Sequence, residues 1–275
     1  MAETDTILQT IARSNRERVV ALEQTAPRAE LAACARELAA IERDATPDGR
    51  FVFPFELALA APGMSFICEV KRASPSKGLI CSDFDAPAIA HAYEQAGAAA
   101  ISCLTEPAWF QGSGEHLSAI AETVELPVLR KDFVVDEYML YEAKLMGASA
   151  VLLICSILSD EQLAACIVLC HELGLSALVE AYEPAEVPRA LAAGARVVGV
   201  NNRDLRTFDV DFGRSIELRH TVPADVLFVS ESGVRTRADI AALEAAGVDA
   251  VLIGETLMRA SDKRAMLAEL RGDAA

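Results

Sequence analysis

The chain has 275 residues, of which 25 are basic and 41 acidic, so its formal net charge is −16. This acidic surplus argues against a general affinity for nucleic acid or for anionic membrane surfaces, and no apolar run reaches the roughly 18 residues that a membrane-spanning helix needs. No basic-plus-apolar signal segment stands at the N-terminus, which predicts a cytoplasmic protein.

Two amphipathic helices are predicted before the first strand. Residues 5–23 and 26–41 carry apolar side chains at helical spacing, and segment 47–54, bounded by prolines, is interpreted as a linker. Because neither helix shares the pattern that follows, we expect residues 1–62 to form a helical extension packed on the main unit, residues 63–275.

A repeating unit fills the rest of the chain: a helical pattern, a glycine, and then an apolar strand rich in small residues. The glycines are Gly97, Gly147, Gly174, Gly194 and Gly247. Each suits the position after a helix, where a left-handed backbone carries no Cβ penalty. Two helix starts are predicted from capping pairs, at Ser159 with Gln162 and at Thr236 with Asp239.

Eight parallel strands are predicted. They start near Phe66, Ala99, Pro127, Ala150, Leu175, Arg196, Val226 and Ala250. Apolar strands that alternate with helices are typical of a parallel sheet covered on both faces. Eight such units match the α/β class of closed (β/α)₈ TIM barrel, here with an N-terminal helical extension. An open doubly wound sheet is the alternative, but it usually has fewer strands and a Gly-x-Gly-x-x-Gly turn, which this sequence lacks.

Polar side chains stand at the ends of several predicted strands, which is the catalytic end of such barrels. They are Glu69, Lys71, Ser74, Lys131, Glu180, Asn201 and Arg203. Glu69 and Lys71 share one face of a strand, and burying both charges costs several kcal/mol unless they are paired or used. We expect Lys71 and Lys131 to depress each other's pKa, which favours proton donation near neutrality. Arg130 and Asp132 face the opposite way from Lys131 and are expected to form a structural pair.

Ser232-Gly233 and Gly254-Glu255 follow the last two strands and suit a phosphate group, because glycine lets backbone N–H groups approach an anion closely. Trp109, Phe110 and Phe133 are expected on loops beside the lysines. There they either pack at the barrel rim or form a pocket for a flat ring.

No metal site is predicted. Cys166, Cys170 and His171 have metal-like spacing, but their segment follows an amphipathic helical pattern. None of the histidines ends a strand, so a Ser-His-Asp or Cys-His arrangement is not expected.

Seven ordered segments resemble the indole-3-glycerol-phosphate synthase family of tryptophan biosynthesis. They are residues 69–78, 104–113, 130–133, 178–180, 199–205, 230–233 and 252–255. The resemblance covers nearly the whole chain and includes an N-terminal helical extension. It departs at Gly114, where a larger residue is usual, and at Cys68, where alanine is common, and neither change removes a group that the chemistry needs.

The resemblance implies the substrate 1-(2-carboxyphenylamino)-1-deoxyribulose 5-phosphate, which is closed to an indole with loss of carbon dioxide and water and without a cofactor. It assigns the general acid to Lys131 and the cation that meets the substrate carboxylate to Lys71. The acid and base of the dehydration fall on Glu180 and Glu69, with Asn201 positioning the hydroxyl groups.

The same resemblance implies a set of substrate contacts. The phosphate is held by Ser232, which also belongs to the catalytic set, and by Gly233, Gly254 and Glu255, with Ser74 nearby. The wall of the anthranilate ring comprises Phe110, Phe133, Leu152, Leu205 and Ile253. Arg203 and Glu231 complete the contacts.

The expected partner is therefore a small phosphorylated substrate, with no nucleic acid and no membrane, bound by a monomer or weak homo-oligomer. Two alternatives remain at this point. One is a Schiff-base lyase or aldolase in which Lys131 attacks a carbonyl. The other is a non-catalytic barrel that binds a phosphorylated metabolite.

Overall fold

The computed structural model describes residues 6–204 and 207–273, and a closed sheet lies at its centre. The strands are Ser65–Val70 (β1), Ala73–Ser74 (β2), Gly78–Leu79 (β3), Ala100–Leu104 (β4), Val128–Lys131 (β5), Ala150–Ile154 (β6), Ser176–Ala181 (β7), Val197–Asn201 (β8), Leu227–Glu231 (β9) and Ala250–Ile253 (β10). β2 and β3 form a short antiparallel hairpin. The other eight strands pair in parallel, and β1 pairs with both β4 and β10, which closes the barrel. The TIM-barrel prediction is confirmed.

Helices separate the barrel strands and also precede them. They are Ile7–Leu22 (α1), Arg28–Asp44 (α2), Pro54–Leu59 (α3), Ala86–Gln95 (α4), Gly114–Thr123 (α5), Tyr138–Leu145 (α6), Asp160–Glu172 (α7), Glu186–Ala192 (α8), Gly213–Arg219 (α9), Arg237–Ala245 (α10), Glu255–Arg259 (α11) and Lys263–Arg271 (α12). None of these described helices has both the length and the apolar character needed to cross a bilayer.

The starts and ends of strands and helices agree with those predicted from glycines and capping pairs. Each of the eight barrel strands begins within one residue of its predicted start, whereas the hairpin of β2 and β3 was not predicted, and the five repeat glycines all have positive φ. Capping boxes are present at Ser159 with Gln162 and at Thr236 with Asp239. Local sequence therefore specifies the starts of these two helices and the ends of the five that precede the glycines, and the capping boxes satisfy N–H groups that the helix itself leaves unpaired.

The predicted linker 47–54 is wrong at its end, because Pro54 begins α3. Proline suits the first turn of a helix, where its missing N–H has no intrahelical partner. Phe55 and Leu59 of α3 are buried in the same apolar cluster as the barrel interior. The Ser65 hydroxyl at the start of β1 donates to the Ala58 carbonyl at 3.0 Å. α3 thus covers the N-terminal end of the barrel, opposite the ends of the strands where the predicted polar residues lie.

α1 and α2 pack on the barrel at separate places. α2 lies against α6, where an ion pair joins Glu42 to Lys144, and Arg28 at its start contacts Asp136 at 2.6 Å. α1 lies across the C-terminal end of the barrel, since Asn15 Nδ2 donates to the carbonyl of Phe133 at 2.8 Å, just after the end of β5. The N-terminal segment therefore reaches the end of the barrel where the predicted site lies.

Candidate active site

The C-terminal ends of the barrel strands surround a cavity of about 350 Å³. The predicted residues that line it are Glu69, Lys71, Ser74, Phe110, Lys131, Phe133, Leu152, Glu180, Asn201, Arg203, Glu231, Ser232, Gly233, Ile253, Gly254 and Glu255. Leu205 was also predicted but lies outside the described residues. The cavity gathers these side chains because alternate residues of each strand face inward and parallel strands end at one rim.

Lys131 lies between two carboxylates. Its Nζ atom is 3.3 Å from Glu180 Oε2 and 3.2 Å from Glu231 Oε2. Burial alone lowers the pKa of Lys131, but Glu231, Glu180 and Glu69 together raise it well above its ordinary value. The predicted lowering of its pKa by a second lysine is therefore wrong for Lys131, because nearby carboxylates outweigh the other cation.

Glu231 is nearly inaccessible to solvent, and burial raises its pKa to about 8, with Lys131 opposing the rise and Glu180 adding to it. Its Oε1 atom has no hydrogen-bond partner among the described residues. A Cβ atom at Gly199 would lie 2.4 Å from this oxygen, so only glycine at position 199 leaves room for the carboxyl group.

Glu69 and Lys71 form an ion pair at the end of β1, as their shared strand face predicted. The side chain of Glu69 is more deeply buried than that of Lys71, whose head faces the cavity. A Cβ atom at Gly254 would lie 2.1 Å from Glu69 Oε1 and 2.9 Å from Lys71 Nζ. Glycine at position 254 is thus required by this ion pair, in addition to any close approach of a ligand.

Asn201 links the end of β8 to the charged centre. Its Nδ2 group donates to Glu180 Oε2 at 3.3 Å, and its Oδ1 atom accepts a hydrogen bond from the Arg203 backbone at 3.0 Å. The amide orients the carboxylate that faces Lys131 and also fixes the start of the loop after β8. Both contacts would be lost with an apolar residue at this position.

The turn after β9 has a left-handed backbone at two successive residues. Ser232 and Gly233 both have positive φ, 67° and 94°, and the absence of a side chain at Gly233 lets an anion approach the backbone N–H groups of this turn closely. Asn202 Nδ2 holds the turn by donating to the Ser232 carbonyl at 3.0 Å. Because a Cβ atom at Gly233 would lie 2.9 Å from Val210 Cγ1, the loop after β8 packs directly against this turn.

Two phenylalanine residues form an aromatic wall of the cavity. The rings of Phe110 and Phe133 lie 5.9 Å apart and tilted by 39°. The buried Glu106 carboxylate accepts hydrogen bonds from the backbone N–H groups of Ala108, Trp109 and Phe110 at 2.7–3.0 Å, which fixes the loop that carries Phe110. Trp109 packs against the barrel's interior cluster and is not part of the cavity wall.

A buried network anchors the strand that carries Lys131. Asp132 accepts hydrogen bonds from Asn15 Nδ2 at 3.0 Å, Arg18 Nη2 at 3.0 Å and Thr105 Oγ1 at 2.7 Å. Burial raises the pKa of Asp132, but the guanidinium groups of Arg130 and Arg18 outweigh that effect and lower it overall. The ion pair predicted between Arg130 and Asp132 is confirmed, at 3.3 Å.

Several cavity residues were not predicted from the sequence. They are Ile7, Leu8, Ile11, Phe208, Val210, Val234, Arg235 and Arg259. The apolar pattern of α1 indicated a buried face, but periodicity does not identify the surface that a helix covers. Arg235 and Arg259 follow the predicted turns Ser232-Gly233 and Gly254-Glu255 in the sequence. This proximity was the one feature from which their place in the cavity could have been predicted.

Among residues 6–204 and 207–273, no group of three His, Cys, Asp or Glu side chains is arranged to hold a metal ion. What the cavity does offer is acid–base chemistry: a protonated lysine between carboxyl groups, a second lysine paired with a carboxylate, and glycine turns able to bind an anion. Those groups lie beside an apolar wall of suitable composition for an aromatic ring.

Similarity to known proteins points to one family. The family model for indole-3-glycerol phosphate synthase matches residues 8–270. The indole-3-glycerol phosphate synthase of Ruminiclostridium cellulolyticum is 56% identical over 222 residues, covering 81% of this chain and 85% of that protein. The protein of the same name from Rhodopirellula baltica is 47% identical over 258 residues, covering 94% and 95%.

Solved structures are similar in fold at much lower identity. A crystal structure of 3-hexulose-6-phosphate synthase superposes with a TM-score of 0.62 at 17% identity, covering 77% of this chain and 100% of that chain. At this level of identity the likeness concerns the barrel alone.

Proposed function

Because this chain belongs to the indole-3-glycerol phosphate synthase family, we propose that Lys131, Glu180 and Lys71 carry the acid–base steps of that family's reaction. The protein catalyses ring closure, decarboxylation and dehydration of 1-(2-carboxyphenylamino)-1-deoxyribulose 5-phosphate to indole-3-glycerol phosphate. The observation that supports our assignment of roles is the position of Lys131 Nζ, 3.3 Å from Glu180 Oε2 in a cavity that Lys71 also lines.

In the first step, a ring carbon of the anthranilate attacks C2 of the ribulose chain, and the carbonyl oxygen takes a proton. Lys131 is protonated at neutral pH because three carboxylates raise its pKa. The oxygen becomes strongly basic as the carbon–carbon bond forms, so the ammonium group can donate even with a raised pKa. Lys131 is the proposed general acid.

In the second step, the carboxylate leaves as carbon dioxide, and its bonding electrons flow into the iminium group formed by ring closure. Lys71 is the proposed cation that holds the carboxylate before it leaves. Its ion pair with Glu69 keeps the ammonium group in place at the end of β1. An apolar wall around the ring excludes water, which strengthens this interaction between charges.

In the third step, the C2 hydroxyl group leaves as water and a proton is lost, which completes the indole. Glu180 and Glu69 are the proposed base and acid. Asn201, which donates to Glu180 Oε2 at 3.3 Å, is proposed to orient both this carboxylate and the substrate hydroxyl groups. General acid–base steps contribute about 10²–10⁴-fold each, and the rest of the acceleration must come from positioning the reacting atoms.

The phosphate is proposed to bind the turns Ser232-Gly233 and Gly254-Glu255 with Arg203, and the anthranilate ring is proposed to lie against Phe110, Phe133, Leu152 and Ile253. Positive φ at Ser232 and Gly233 supports the first assignment. The tilted pair of phenylalanine rings supports the second, because an aromatic ligand packs well against such a surface.

An aldolase mechanism is less compatible with the geometry. A nucleophilic lysine must be unprotonated, whereas the pKa of Lys131 is raised by its carboxylate neighbours. Borohydride should therefore trap no covalent adduct between Lys131 and the substrate, and a trapped adduct would support the alternative.

We also propose that residues 1–62 act as an extension of the barrel unit 63–275, and that the protein is cytoplasmic and works as a monomer or weak homo-oligomer. Contacts of α1 with the cavity and of α2 with α6 support the first statement. Sedimentation at working concentrations tests the oligomeric state.

The function is tested by indole fluorescence. The purified protein is mixed with the carboxyphenylamino sugar phosphate in buffer containing a chelator and no added cofactor. The expected result is a steady increase of product fluorescence that is proportional to enzyme concentration. No increase above the uncatalysed rate would reject the function.

A further inference from the structure

Arg235 lies between the end of β9 and the start of α10 and is one of the residues that line the cavity. Its backbone is fixed, because its N–H group donates to Asp239 Oδ2 at 2.9 Å, and Asp239 also caps α10 through Thr236. The side chain is exposed. Arg235 thus places an exposed cation on a fixed backbone beside the turn Ser232-Gly233.

Some of the cations that line the cavity form ion pairs with carboxylates, and others do not. The cations are Lys71, Lys131, Arg203, Arg235 and Arg259. Lys71 pairs with Glu69, and Lys131 pairs with Glu180 and Glu231. Within residues 6–204 and 207–273, no carboxylate forms an ion pair with the Arg235 guanidinium group. Arg235 therefore keeps its full charge for an incoming anion.

Arg259 is occupied by a local acid. Its Nε atom lies 3.0 Å from Glu255 Oε1, one helical turn away on α11. The backbone of Glu255 belongs to the second glycine turn, where its own carboxylate would repel a bound phosphate. Arg259 neutralises that carboxylate, so the positive charge left for an anion on this side of the cavity comes from Arg203 and Arg235.

We propose that Arg235 binds the phosphate group of the substrate and adds a second guanidinium charge, besides that of Arg203, to the two glycine turns. This assignment rests on the proposed function, since it names a further contact of the same substrate. A phosphate carries a charge of about −1.5 to −2 at neutral pH, and in a protein of net charge −16 an unpaired guanidinium group is the group best suited to attract it. Arg can bind two phosphate oxygens at once through its planar fork.

The first test is steady-state kinetics of Arg235→Ala. Loss of a charge-assisted contact at a partly exposed site should raise KM about tenfold and leave kcat within about twofold, because the phosphate is remote from the reacting carbons. Arg235→Lys should recover part of the loss. The matched control is Arg237→Ala, which removes an arginine two positions away whose Nη2 group contacts Glu244 at 2.8 Å. Its KM should equal that of the unaltered protein.

The second test uses inorganic phosphate as a probe that needs no turnover. Calorimetric titration should show weaker phosphate binding to Arg235→Ala than to the unaltered protein or to Arg237→Ala. An unchanged KM together with unchanged phosphate binding would overturn the role of Arg235 while leaving the proposed function intact. Absence of turnover in the unaltered protein would instead reject the proposed function, and phosphate titration would still decide whether Arg235 binds the anion.

A third measurement separates phosphate binding from a structural role. With a substrate analogue that lacks the phosphate, Arg235→Ala and the unaltered protein should have equal kcat/KM. A loss of activity that persists with this analogue would contradict the proposal, because it would show that Arg235 acts elsewhere than on the phosphate.

Discussion

Asn15 Nδ2 donates to Asp132 Oδ1 at 3.0 Å, and the same amide group donates to the Phe133 carbonyl at 2.8 Å. Asn15 of α1 therefore anchors the two residues that follow Lys131 in the chain, Asp132 and Phe133. The proposed general acid and one wall of the ring pocket are thus fixed by a residue more than 100 positions away in the sequence. This contact couples the packing of α1 to the geometry of the site.

We expect Asn15→Leu to lower the free energy of unfolding by about 1–3 kcal/mol, because it leaves buried acceptors without their donor. It should also lower kcat, since the end of β5 loses an anchor. Urea unfolding and fluorescence kinetics measure the two effects. Arg16→Ala, at an exposed position of the same helix, is the control and should change neither quantity. Full activity in Asn15→Leu would show that the contact does not position Lys131.

Replacement of Lys131 tests the first step. Lys131→Met should lower kcat by about 10²–10⁴-fold, while substrate still binds, because the phosphate turns and the aromatic wall are unchanged. Single-turnover fluorescence gives the rate, and equilibrium titration gives the dissociation constant. Lys263→Met, on α12 and outside the cavity, controls for loss of a lysine. Unchanged turnover in Lys131→Met would reject Lys131 as the acid.

Glu180 is expected to act in the dehydration. Glu180→Gln keeps the shape of the side chain but removes the base, so kcat should fall strongly, by about 10²-fold or more, while KM changes little. The variant also removes the charged partner of Lys131, which lies 3.3 Å away. The basic limb of the kcat–pH profile should therefore move to lower pH, because the lysine loses a group that raises its pKa. A rate equal to that of the unaltered protein would remove Glu180 from the mechanism.

The sequence predicted the barrel well because its signals are local. Glycines after helices, capping pairs and apolar strands each depend on a few neighbouring residues, and they placed each barrel strand within one residue of its start. Strand alternation then predicted that Glu69 and Lys71 would share a face, and their ion pair follows from it. Local rules of this kind carry over directly into the fold.

Sequence reasoning failed where several distant segments meet. The pKa of Lys131 is set by carboxylates on β1, β7 and β9, and the number of acids that surround one lysine cannot be counted before the strands are assembled. The same limit applies to α1, whose apolar face was recognised although its contact with the cavity was not. Arg235 was missed because a single arginine after a glycine turn has no distinctive pattern.

Glu231 gives the protein a predictable dependence of stability on pH. Burial raises its pKa to about 8, compared with an ordinary value of 4.5. Between these pH values the folded protein holds a proton that the unfolded chain has released, so the free energy of unfolding contributed by this group falls as pH rises. Below about pH 4.5 and above about pH 8 this contribution no longer changes.

Glu231→Gln removes that titration. Between pH 5 and pH 8, the variant should therefore gain in stability relative to the unaltered protein, by at most about 1.4 kcal/mol per pH unit. Urea unfolding at several pH values measures the difference. Glu217→Gln, at an exposed position on α9, should show a constant difference across the same range. A constant difference for Glu231→Gln as well would show that Glu231 titrates at an ordinary pKa.

Replacing Gly254 by alanine tests the position of the Glu69–Lys71 ion pair without straining the backbone. Its φ is −110°, which any residue can adopt, so Gly254→Ala imposes no backbone strain of the left-handed kind. The new Cβ atom would nevertheless lie 2.1 Å from Glu69 Oε1 and 2.9 Å from Lys71 Nζ, which displaces the ion pair. We expect kcat to fall at least tenfold while most of the stability is kept, because the affected atoms lie at the cavity and not in the apolar core.

Gly213→Ala is the matched control, since its Cβ atom would meet only Asp211 Oδ1, at 3.3 Å. Equal activity in the two alanine variants would mean that the position of the Glu69–Lys71 pair does not matter for turnover.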